Sequence, residues 1–139
     1  MLTLRAGLVV ALCLVSACSG AQSVAPAAAQ SVCQLYATRS SPTHQPVLVH
    51  ATAWVALRHG GALLQDASCP KVAIGFRFAD EARDRPMVKK FSDVMTGDVM
   101  NLKPRLFDVH LKGTYSGATE AEPNGLFVVT DVEGFKQQP

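Results

Sequence analysis

The chain has 139 residues, 48% of them hydrophobic and 17% charged, with a formal net charge of +2. That length holds one domain and excludes a multidomain enzyme. Thirteen Lys and Arg against eleven Asp and Glu is no basic excess, so nucleic acid is excluded as an expected partner.

Residues 1–17 carry a single positive charge at Arg5, followed by an apolar run over 6–15, which is the pattern of a secretory leader. The run is shorter than the roughly 20 apolar residues a spanning helix needs, so no transmembrane helix is expected in the mature protein. Val15, Ser16, Ala17 and Cys18 close the leader and resemble the bacterial lipobox, with Val15 where Leu is typical. That resemblance implies a bacterial lipoprotein: cleavage before Cys18, a diacylglyceryl group on its thiol, and fatty acyl groups such as palmitate anchoring the chain to membrane lipid. Ser19 rather than Asp follows the cysteine, which in this family implies the outer membrane, facing the periplasm. The alternative is an ordinary leader cut after a triplet such as Ala27, Ala28 and Ala29, with Cys18 discarded.

Residues 18–32 form an Ala-, Ser- and Gln-rich stretch with no charge and no hydrophobic period. They read as a flexible tether ahead of one domain over 33–139. With Cys13 leaving in the leader and Cys18 lipidated, Cys33 and Cys69 remain as a pair in an oxidising compartment. A disulfide between them is the natural reading, and the chain-entropy model gives it about 4 kcal/mol. The rival reading, two thiols of a redox or metal site, has no Cys-x-x-Cys spacing behind it.

The domain begins with a long strand over 46–57 that places Val47, Val49, Ala51, Ala53 and Val55 on one face and Leu48, His50, Thr52 and Trp54 on the other. His59, Gly60 and Gly61 mark a hairpin turn, and 62–65 pairs back as a second strand. Residues 66–70 are a loop holding Cys69. A third strand over 71–78 alternates Val72, Ile74, Phe76 and Phe78 with Ala73, Gly75 and Arg77. The period then lengthens: over 80–95, Met87, Val88, Phe91, Val94 and Met95 share one side of a helix, with Pro86 suited to its first turn. Alternation returns in a fourth strand over 105–115, where Phe107, Val109, Leu111 and Gly113 oppose Leu106, Asp108, His110 and Lys112. A loop over 116–125 leads to a fifth strand over 126–132, and 133–139 reads as a tail.

Three strands, a helix and two further strands is the element order of the OB-fold, a mainly β architecture with a five-stranded barrel. The run over 47–78, with its hairpin rising into Leu64, Gln65 and Asp66, resembles the first three strands of small periplasmic OB-fold domains. The segment over 109–115 resembles their glycine-bearing fourth strand. Cys69 and Pro70 depart from that pattern, since they stand where many such domains have a glycine turn. Another small β-barrel or an α+β sandwich is the alternative.

The residues hold no Gly-x-Ser-x-Gly elbow, no phosphate-binding glycine loop and no dinucleotide fingerprint. Asp80 and Glu81 lie where helix starts favour acids, and Asp66 reads as a turn residue. No catalytic residue and no cofactor is expected. In an OB barrel, strands one and four pair, and His50 and His110 then approach each other. A metal would need a third ligand such as Asp108 or Asp66, which the spacing does not enforce, so exposed strand histidines are the reading and no metal is assigned. His44 and His59 show no pattern. His50, Trp54, Arg77 and His110 form the candidate binding surface. The expected function is a non-enzymatic envelope lipoprotein whose barrel binds another envelope protein; the alternative is a lipoprotein binding a small ligand, a glycan or a metal ion.

Overall fold

A computed structural model describes residues 27–56, 61–97 and 103–139. The leader, Cys18, most of the tether and the turn at His59 lie outside the described residues. The elements in chain order are α1 (Val32–Ala37), β1 (Val47–Ala56), β2 (Gly61–Gln65), β3 (Ala73–Phe78), a 3-10 turn (Asp80–Ala82), α2 (Pro86–Thr96), β4 (Arg105–Tyr115) and β5 (Leu126–Gln137). Among the described residues no helix is long and apolar enough to cross a membrane.

The five strands close into a barrel in the order β1-β2-β3-β5-β4, with β4 returning to β1. Every neighbouring pair is antiparallel except β3 and β5, which run parallel. With α2 between β3 and β4, this is the OB-fold-like barrel expected from the strand order. Period-2 alternation does the sorting: Val49, Ala51, Ala53 and Val55 of β1 face the core, as do Phe107, Val109 and Leu111 of β4 and Ile74 and Phe76 of β3. Closing the barrel requires one close backbone approach. A Cβ on Gly113 would stand 2.2 Å from the carbonyl oxygen of Val128, so only glycine lets β4 and β5 meet there.

α2 closes against the barrel through the side foreseen from its period. Val88 and Phe91 are buried, and the Phe91 ring meets Phe107 at 5.5 Å and Phe135 at 4.8 Å between centroids. Pro86 opens the helix, where its missing N–H costs nothing. Asp80 and Glu81 belong to the separate 3-10 turn that precedes it. At the far end, the Arg105 guanidinium on β4 donates to the last carbonyls of α2, at 2.8 Å to Val94 and also to Met95.

Two segments differ from the sequence expectation. Gln30, Ser31 and Val32, grouped with the tether on composition, are bound into the fold. Gln30 bridges to β1 through Gln30 N to Leu48 O at 2.8 Å and His50 N to Gln30 O at 3.0 Å. Ser31 caps α1 in a reciprocal box with Gln34, and Val32 and Leu35 are buried. The second difference is the tail. β5 continues to Gln137, and its pairing with β4 skips Thr130 and then Glu133 at two irregularities, Gly113↔Val129 being followed by Lys112↔Asp131 and Leu111↔Val132 by His110↔Gly134. Each extra residue reverses the inside-outside phase, which hides the continuation from any test of strict alternation.

The expected disulfide is present: Cys33 of α1 is bonded to Cys69, with Cα atoms 5.8 Å apart. It ties α1 to the 66–70 loop between β2 and β3.

Candidate functional site

The outer faces of β2, β1 and β4 lie side by side, and the register fixes which side chains meet. Across β1 and β4 the outward pairs are Trp54↔Leu106, Thr52↔Asp108 and His50↔His110; on the other flank of β1, Trp54 faces Leu63 and Thr52 faces Gln65. Directly opposed residues on one face have Cβ atoms about 5 Å apart, so each row is a contact set.

The first row is apolar. Trp54 is half-buried between Leu63 and Leu106, and Leu106, at 37% exposure, is the large hydrophobic residue that stands out to solvent among the described residues. The third row is histidine. The His50 and His110 rings stack with centroids 4.3 Å apart and planes 10° from parallel. Asp108, two positions before His110 and therefore on the same face, reaches diagonally to His50, whose Nε2 lies 2.7 Å from Asp108 Oδ1. Both side chains are about half exposed, at 53% and 49%.

A wall beside these rows comes from the 66–70 loop. The Asp66 carboxylate accepts from the Ser68 hydroxyl and, at 2.8 Å, from the Ser68 amide; these bonds hold it below the usual carboxylate range, and the neighbouring His50 acts in the same direction. His50, Thr52, Gln65, Asp66 and Asp108 line an open cleft of about 330 Å³. The Cys33–Cys69 disulfide anchors the loop that forms its rim.

Of the four residues grouped from sequence, the structure brings His50 and His110 into contact and sets Trp54 on the same face, with Thr52 between His50 and Trp54 on β1. Arg77 is placed elsewhere. It is exposed on β3, which β2 separates from β1, and it lines a different cleft of about 360 Å³ with Phe78, Arg83, Ser92 and Met95 beside α2. Leu106 and Gln65 were not singled out from sequence. Their signal was the barrel itself, since once β1 is flanked by β2 and β4, the partners of Trp54 and Thr52 follow from register. Comparison with protein-family models, curated proteins and solved structures finds no match for this chain.

Proposed function

We propose that the chain is a lipoprotein of the bacterial cell envelope, anchored by acylated Cys18 on the periplasmic side of the outer membrane, and that its barrel is a non-enzymatic module that binds another envelope protein. The observation that carries the binding surface is the row Leu63, Trp54 and Leu106 on the outside of the barrel. A Trp with an apolar neighbour on each side, bordered by Thr52, Asp108 and the histidines, has the composition of an interface centre inside a polar rim. The disulfide supports an oxidising compartment.

The test is a crosslinked pull-down of the full-length protein from native membranes, read by mass spectrometry. One stoichiometric partner is expected with the native chain, and Leu106→Asp, a change at an exposed position, is expected to lose it. A partner recovered equally by Leu106→Asp and Trp54→Ala would remove this face from the interface, and enrichment of no protein at all would overturn the partner reading.

A further inference from the structure

We propose that His50, Asp108 and His110 hold a divalent transition-metal ion of the Zn²⁺ and Cu²⁺ class on the outer face of the barrel. Each of the three offers one ligand atom, and these atoms all lie within 4.8 Å of one another. Two donors on a tetrahedral Zn²⁺, each about 2.1 Å from the ion, stand about 3.4 Å apart, so the widest-set pair of donors needs to close by about 1.4 Å at most. The His50 and His110 rings, stacked with planes 10° from parallel, must also turn out of the stack so that their in-plane lone pairs converge, a rotation open to side chains on a solvent-exposed face. Their backbones need not move, because His50 and His110 are directly paired residues of β1 and β4 and Asp108 is two residues along.

His50 Nε2 and Asp108 Oδ1 face each other at 2.7 Å, and to share the ion they would separate by about 0.7 Å and exchange their mutual hydrogen bond for coordination. The second irregularity in β5 bears on access. It places Gly134, rather than a residue with a side chain, opposite His110, and nothing lies within 4 Å of where a Cβ on Gly134 would be. His110 therefore has the His50 ring on one flank and, directly opposite it on the other, a β5 position without a side chain. The cleft toward Thr52, Gln65 and Asp66 leaves room for water or an outside ligand to complete the coordination.

The donor set selects the metal. Two imidazoles and one carboxylate suit Zn²⁺, Cu²⁺ and Ni²⁺, whereas Ca²⁺ and Mg²⁺ take oxygen ligands. Charge argues the same way. Lys136 is paired with Asp108 across β5, and Lys112 follows His110 on the same face of β4 opposite Asp131, so lysines balance the carboxylates of these strands and charge alone does not hold the ion. Imidazole coordination is what the geometry provides. This assignment stands apart from the partner-protein reading and does not need the Trp54 row.

The test uses the full-length protein, expressed without a histidine tag, stripped with a chelator and titrated with Zn²⁺ by calorimetry. One equivalent per chain is expected, with affinity at least about tenfold weaker in His110→Ala and in His50→Ala, weakened in Asp108→Asn and unchanged in Trp54→Ala. The Cu²⁺ form should show two imidazole nitrogens by electron paramagnetic resonance and one in His110→Ala. Ca²⁺ and Mg²⁺ should give no binding heat. Melting curves of the variants confirm that each folds. Absence of Zn²⁺ and Cu²⁺ binding would overturn the site, leaving His50 and Asp108 as a plain surface ion pair; equal affinity in His110→Ala would overturn it as well.

Discussion

Tyr115 shows how one residue sets a pH limit on the fold. Its ring is fully buried at the end of β4, its hydroxyl donates to the Asn124 carbonyl at 2.7 Å, and its backbone is tied to Thr43 in both directions. Burial pushes the phenol above its ordinary value of 10.0, with the Tyr36 phenol adding slightly and Arg39 opposing. In the unfolded chain the same phenol titrates near 10, so above that pH the folded state holds the proton that the unfolded state has lost. Stability contributed by Tyr115 is therefore complete below pH 10 and falls as pH rises toward the folded value. Urea unfolding of the native protein should show a steeper alkaline loss above pH 10 than Tyr115→Phe, which itself should cost about 1 kcal/mol at neutral pH for the missing hydrogen bond. Parallel alkaline curves for the two proteins would refute the assignment.

At the scale of elements, the strands with strict alternation were legible because a period of two is written directly in the residues. β4 was bounded correctly, β1 begins one residue later than expected, with its expected end at 57 outside the described residues, and β3 begins two residues later. α1 was missed although its signal was present: Ser31 and Gln34 have the spacing of a capping box, but the surrounding Ala- and Ser-rich stretch read as tether. The end of β5 was illegible for a different reason, since the residues that shift its phase, Thr130 and Glu133, are identified only by what β4 places opposite them. The same limit applied to the site. Alternation put His50, Trp54 and His110 outside, but the convergence of Asp108 on His50 and the separation of Arg77 depend on barrel closure. One consequence of α1 concerns the disulfide. Because Cys33 lies on a six-residue helix that also buries Val32 and Leu35, the bond holds both the helix and the 66–70 loop. Cys33→Ser should lower stability by about 2–5 kcal/mol. Equal melting temperatures for the variant and the oxidised protein would show that the bond contributes nothing to the fold.

For the whole molecule, the distance from membrane to barrel follows from the chain. Among the described residues Gln30 is the first hydrogen-bonded into the fold, through β1, and the proposed anchor at Cys18 precedes it by 12 residues. A fully extended chain covers at most about 3.5 Å per residue, so the start of the domain stands no more than about 40 Å from the lipid surface. Under the proposed anchoring, a partner in or near the same membrane would meet the domain at high local concentration, an advantage that freeing the domain should remove. Acyl chains contribute about 0.8 kcal/mol per buried methylene, which makes the anchor effectively permanent when two or three are attached. Cys18→Ala should therefore abolish labelling by a fatty-acid analogue and shift the protein from the membrane to the soluble fraction. The melting temperature should stay unchanged, because Cys18 lies 12 residues ahead of Gln30, where the described residues first bond to the barrel. Labelling that persists in Cys18→Ala would show that the lipobox reading is wrong.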